Sequence, residues 1–154
     1  DDDLLGNNKK IQIKLLELNV VSADEKISRK LAVKKNSKII KMKRVLSGTE
    51  GPVAVDSRFM PYMKGLPLVE KEIAYAAFPD LVVNHTELFS ARNKLEVSAA
   101  ILSKEEAKLL DADVGLPALC VEQIIYTVKK QPIGWSKMIC RGDRFTLTAF
   151  SHPF

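Results

Sequence analysis

Apolar and polar residues alternate along most of this chain with the period of two that sends successive side chains to opposite faces of a strand. Ile11, Ile13 and Leu15, then Leu16, Leu18 and Val20, predict a strand over 11–21. The alternation slips by one place at Leu15-Leu16, as a β-bulge would make it do. Ser22-Ala23-Asp24-Glu25 has the spelling of a capping box, with the serine oxygen taking an amide three residues on and the glutamate reaching back. It predicts a helix over 24–33 that buries Ile27 and Leu31 and ends near Lys34-Lys35-Asn36, where cations suit the C-terminal dipole. Ile40, Met42, Arg44 and Leu46 then share one strand face, with Lys41 and Lys43 on the other. Gly48 and Gly51-Pro52 supply a turn, and residues 53–60 return as the second arm of a hairpin.

Pro61 and Gly65 break the pattern. Pro67 suits the first turn of a helix over 67–77, whose apolar stripe is Leu66, Val69, Ile73, Ala76 and Ala77 and whose end is Pro79. Residues 79–92 show no period. Leu95, Val97, Ala99 and Ile101 alternate as a strand, and Ser103-Lys104-Glu105-Glu106 is a second capping box, opening a helix over 104–110. Strands over 118–128 and 133–140 flank the turn at Lys129-Lys130-Gln131-Pro132, and a last strand is expected over 144–150. The predicted architecture is α+β: one mostly antiparallel sheet of about six strands with flanking helices. Residues 1–10 are polar and read as a tail, leaving 11–154 as the folded domain.

The chain also echoes itself. From Ser22 to Met60, and again about 80 residues on from Ser103 to Cys140, the order is capped helix, loop, strand, Pro-containing turn, strand. Two related halves building one sheet explain this better than a solenoid, which needs at least three repeats. Placing Pro52 on Pro132 puts Arg44 on Ile124, Asp56 on Ser136 and Arg58 on Met138. The first half thus carries charges where the second is apolar or small.

A charge on an otherwise apolar strand face is costly unless it is paired. Arg44, between Met42 and Leu46, has two readings: an internal ion pair with Asp56, or an anchor whose planar fork holds a ligand carboxylate or phosphate at two points. Hairpin register bears on both. Leu46 opposite Val53 places Arg44 and Asp56 on opposite faces, whereas Leu46 opposite Ala54 places them on one. The turn sequence admits either.

Composition narrows the chemistry. The 154 residues, 46% hydrophobic and 28% charged, suffice for an ordinary core without metal or disulfide support. No apolar run approaches the ~20 residues of a membrane span, and Asp1-Asp2-Asp3 does not open a signal peptide. A chain lacking an initiator Met is expected to be a fragment or a processed product. Cys120 and Cys140 lie in apolar stretches, and with only His85 and His152 beside them no zinc spacing exists. Two buried thiols in a cytoplasmic protein are expected. The net charge of +5 draws on Lys34, Lys35, Lys38, Lys41, Lys43 and Arg44, a stripe without interleaved aromatics that reads as a solvated face rather than a nucleic-acid platform. Phosphate-loop, His-Glu-x-x-His and Gly-x-Ser-x-Gly motifs are absent, so no enzyme, cofactor or metal is expected.

Taken in order, Lys43-Arg44-Val45-Leu46, Gly51-Pro52, Val53 through Pro61, Ala99 to Leu110, Gly115-Leu116-Pro117-Ala118-Leu119, Gln131-Pro132-Ile133-Gly134 and Arg141-Gly142-Asp143-Arg144-Phe145 resemble the UTRA domain. This is the effector-binding half of the HutC-like branch of GntR transcription regulators. The resemblance implies a chorismate-lyase-like fold, a small anionic metabolite as effector, and a homodimer that reads operator DNA through a separate N-terminal winged-helix domain. It also implies that Arg44 holds the effector's anionic group, that Asp56 contacts its polar body, and that Cys140 stands at a position often occupied by Tyr. The chain departs from the family at Leu46, where a second arginine is usual, at Gly134, where a glutamate is usual, and from Met63 to Arg92. These departures point away from a sugar phosphate toward a different or more apolar anion, with Arg58, Arg92 and Trp135 as further candidate lining residues. The rival reading is a small chorismate-lyase-like enzyme on the same fold.

Overall fold

The computed structural model describes residues 11–62 and 90–152. Their elements are β1 (Gln12–Ser22), α1 (Glu25–Leu31), β2 (Lys38–Gly48), β3 (Gly51–Pro61), β4 (Ser90–Ile101), α2 (Lys104–Leu109), β5 (Pro117–Thr127) and β6 (Pro132–Arg141). The helix expected over 67–77, the unreadable 79–89 and His85 fall outside the described residues, as does the 1–10 tail.

All six strands join one antiparallel sheet in the order β1-β2-β3-β6-β5-β4. The predicted bulge is present: Leu15 faces Arg44, Glu17 faces Lys43, and Leu16 is the extra residue. The echo is present too. β1-α1-β2-β3 and β4-α2-β5-β6 are equivalent units, joined where β3 meets β6 and related by a pseudo-twofold axis at the Ser57–Lys137 pair. The expected alignment needs one correction. Asp56 faces Arg44, while its counterpart Ser136 faces Gln123, so Arg44 matches Gln123 and not Ile124.

Three local expectations also change. The first helix is capped by Asp24, whose Oδ1 accepts from Ile27 N at 2.8 Å, because Ser22 still belongs to β1 and cannot cap. It stops at Leu31, since Ala32 turns left-handed (φ 51°) and Val33 N donates to Ser28 O. Lys34 and Lys35 therefore lie beyond it. The second capping box forms as expected: Ser103 Oγ accepts from Glu106 N, and Glu106 Oε1 accepts from Ser103 N.

The strand expected over 144–150 does not form. β6 already has β3 on one side and β5 on the other, so the chain turns away at Gly142, whose N–H donates to Pro117 O at 2.9 Å. A Cβ on Gly142 would sit 2.5 Å from that oxygen, which is why this approach needs glycine. Arg141 donates to Leu110 O and Asp111 O beyond the end of α2, and Arg144 donates to Pro52 O. Phe145 then buries itself against Leu46, Ala54, Met138 and Cys140. The Arg141–Phe145 motif is thus architectural.

Both described helices, α1 and α2, cover one face of the sheet. Ile27 and Leu31 of α1 pack with Ile39, Phe59 and Trp135. Ala107 of α2, with Leu102 and Leu110 beside it, packs on Val45, Val55, Cys120 and Ile139. The other face carries two more clusters, one around Met42, Met60, Ile125 and Ile133, the other around Leu46, Ala54, Met138 and Phe145. On each face a band of polar side chains separates the two clusters.

Candidate functional site

The polar band on the sheet face opposite α1 and α2 is built from β2, β3 and β6. Leu46 pairs with Ala54, so Arg44 stands directly across from Asp56 and the two side chains share a face. Asp56 Oδ2 accepts from Arg44 Nη2 at 2.8 Å and from Arg44 Nε at 3.2 Å. Two residues along β3, Arg58 lies on the same face by strand alternation, and its Nε donates to the same oxygen at 2.5 Å. One carboxylate therefore fixes the planes of two guanidinium groups. Arg44 and Asp56 are 2% and 1% exposed, and Arg58 is mostly covered. Burial pulls the Arg58 guanidinium below its ordinary value; Asp56 opposes that, and the Arg44 charge adds to it.

Cys140 borders the cluster, across from Ala54 on the same face. Burial, with the Asp56 carboxylate adding to it, pushes its thiol up to about 12. Cys120 and Cys140 are both free and buried, as expected. Leu46, where the family resemblance led to a second arginine, lies in the apolar cluster beside the band.

The structure brings Arg44, Asp56, Arg58 and Cys140 together and leaves two sequence candidates elsewhere. Trp135 pairs with Phe59 and points to the helix-bearing face, where the two rings stack at 4.7 Å. Its Nε1 donates to Glu122 at 2.7 Å. Arg92 lies on β4, with β6 and β5 between it and β3, and its guanidinium sits over the Tyr126 ring at 5.4 Å. The basic stripe also divides, because Lys41 and Lys43 face the helices while Arg44 faces the other way.

Sequence reasoning missed a second place. On the helix-bearing face, alongside α1, a groove of about 410 Å³ is lined by Lys26, Lys41, Ser57, Lys137, Phe59 and Trp135, with Val21, Ser22, Asp24 and Ile27 at its wall. The available signal was the parity of Lys41, Ser57 and Lys137, polar positions on the same strand faces as the buried Val45, Val55 and Ile139.

Residues 6–146 match the UTRA domain family, and the chain belongs to it. The HTH-type transcriptional repressor NagR of Bacillus subtilis is 25% identical over 143 residues, which are 89% of this chain and 56% of that protein. Among solved structures, the ligand-binding domain of a protein classed as a GntR-family transcriptional regulator from Bordetella bronchiseptica aligns with a TM-score of 0.82 at 23% identity, over 97% of this chain and 94% of that one. The effector domain of PhnF from Mycobacterium smegmatis aligns with a TM-score of 0.81 at 23% identity, over 94% and 88%. The chain thus spans just over half of its curated relative and nearly the whole of isolated effector domains. Its fold is that of the effector domains of GntR-family regulators, and the curated relative reported above is a transcriptional repressor.

Proposed function

We propose that this domain senses a small anionic metabolite on the sheet face opposite α1 and α2 and passes the signal to a DNA-reading domain elsewhere in a longer regulator. The observation that carries the reading is the Arg44–Asp56–Arg58 cluster. Arginine is suited to planar, two-point recognition of carboxylate or phosphate. An internal carboxylate that fixes two guanidinium planes in advance lowers the ordering cost of binding. The neighbouring apolar cluster of Leu46, Ala54, Cys140 and Phe145 favours an effector with an apolar part beside its anionic group. The ion pair with Asp56 and the role as ligand anchor, alternatives in the sequence, are compatible in this geometry: Asp56 orients the fork that meets the ligand.

The same reading includes a homodimer and a cytoplasmic setting. Among the described residues no helix is long and apolar enough to cross a membrane. Among the described residues the sheet ends on β4, which exposes Leu95, Val97 and Ile101, and an edge strand with exposed apolar side chains invites strand pairing with a second copy. The opposite edge, β1, carries the Leu16 bulge, a device that discourages pairing. Ligand binding changes DNA affinity only by its preference between two dimer arrangements, typically ~1–3 kcal/mol. A thermal-shift screen of phosphorylated sugars and carboxylic acids tests the sensing role. One class should raise the melting temperature in a concentration-dependent way, and a flat response across both classes would remove the reading.

A further inference from the structure

We propose that the groove alongside α1 is a second binding site, for a small oxyanion such as a phosphate or a compact carboxylate, separate from the arginine cluster on the other face. The polar band on the helix-bearing face runs straight across four strands, with Lys43 opposite Ser57, Ser57 opposite Lys137, and Lys137 opposite Glu122. Its two ends are tied to the helices. Lys43 bonds Glu105 of α2 at 3.0 Å, and Glu122 bonds Lys30 of α1 at 2.7 Å as well as Trp135. The middle pair, Ser57 and Lys137, lines the groove, with Lys41 and Lys26 completing its cationic lining.

The duplicated fold supplies an internal control. Lys41 faces Phe59 in the first half, and the equivalent pair in the second half is Cys120 facing Ile139. There both side chains are buried in the core under α2. The fold can therefore close this position with apolar packing; the first half instead places a lysine and a groove. Asp24, the one carboxylate among the described lining residues, is turned into the helix as its N-cap, and Glu17 meets Lys41 from the neighbouring strand at 3.4 Å, a partly exposed pair that an oxyanion can exchange with. Lysine ammonium groups act as adaptable point charges, and a serine hydroxyl adds a directional donor, a set suited to an oxyanion without demanding one fixed shape. The stacked Phe59 and Trp135 rings give the groove a rigid base. Ser57 sits on β3 between Asp56 and Arg58, so the two sites lie back to back on one strand.

Trp135 is the only tryptophan in the chain and lines this groove, so its fluorescence reports on it. The test is a titration of the 154-residue chain with inorganic phosphate at constant ionic strength, balanced with potassium chloride. A saturable change in Trp135 emission is expected. Lys137→Gln and Lys41→Gln should each weaken it about tenfold with melting temperatures unchanged, and Arg44→Lys on the far face should leave it in place. Absence of saturable change, a response indifferent to both lysine variants, or one abolished by Arg44→Lys in a folded protein would overturn the proposal.

Discussion

Arg44 and Asp56 face each other across the β2–β3 hairpin, joined by two hydrogen bonds from one guanidinium to one carboxylate oxygen in a nearly water-free setting. The energetics of such a pair depend on which partner is removed. Asp56→Asn takes the carboxylate from between two guanidinium groups that repel each other, whereas Arg44→Met leaves Asp56 bonded to Arg58. Removing Asp56 leaves two buried guanidinium charges without that carboxylate, a loss of about 3–5 kcal/mol, whereas removing Arg44 gives up its two bonds but leaves the carboxylate paired and costs less. Denaturant unfolding should therefore rank Asp56→Asn as the more damaging change. The reverse order would mean that Asp56 does not organise the cluster.

On the helix-bearing face, Glu122 links α1 to Trp135. Burial works against its charge, yet the bonds from Lys30 and Trp135 Nε1 outweigh that and hold the carboxyl below its usual range. The unfolded chain then binds this proton first as pH falls. The stabilisation is fully present above the unfolded value of about 4.3 and is lost as pH drops through the lower folded value. Trp135 emission should show an acid transition below that value, and Glu122→Gln should abolish it. An unchanged transition in the variant would assign it to another group.

Cys140 should be inert while the protein is folded. Its thiol is fully buried and pushed up to about 12, and the thiolate is the reactive form. Between about pH 8.5, the unfolded value, and about 12 the unfolded state holds fewer protons at this group, so its contribution lowers stability as pH rises. A thiol reagent at pH 8 should modify Cys140 only as fast as the protein opens. Prompt native-state labelling of this residue would contradict the packing of Phe145 over it.

The edge argument singles out Val97. It is 41% exposed in β4, where an antiparallel copy would cover it. Light scattering at micromolar concentration should give a dimer for the wild-type chain and a monomer for Val97→Lys. A wild-type monomer, or a dimer untouched by the lysine, would move the interface elsewhere.

Much of this fold was legible because period-two alternation and the glycine turns mark the hairpins directly. Leu15-Leu16 betrayed the bulge, and Ser103 with Glu106 spelled a cap that forms. Ser22 misled because a cap depends on where the preceding strand lets go, and β1 holds Ser22. Residues 144–150 alternate like a strand, but β6 has no open side for them to join, a fact of topology that local pattern does not carry. Arg44 and Asp56 stood out as charges on an apolar face. Their pairing awaited the register, which the bulge between Leu46 and Ser47 sets. Trp135 was grouped with them as a candidate lining residue, although the parity of β6 sends it to the other face. The groove went unread because Lys41, Ser57 and Lys137 come from three strands, and only the sheet order makes them neighbours.

The central claim is that the Arg44–Asp56–Arg58 cluster receives an anionic effector. Isothermal titration of the best stabilising compound from the screen, against wild type, Arg44→Ala and Arg44→Lys, tests it most directly. Circular dichroism would confirm that each variant is folded. Loss of a charge-assisted contact worth about 1.5–3 kcal/mol should weaken binding to Arg44→Ala by about ten- to a hundredfold. Arg44→Lys, which keeps the charge but not the fork, should recover only part of that loss. Equal affinity for all three folded proteins would take Arg44 out of the site and contradict the account.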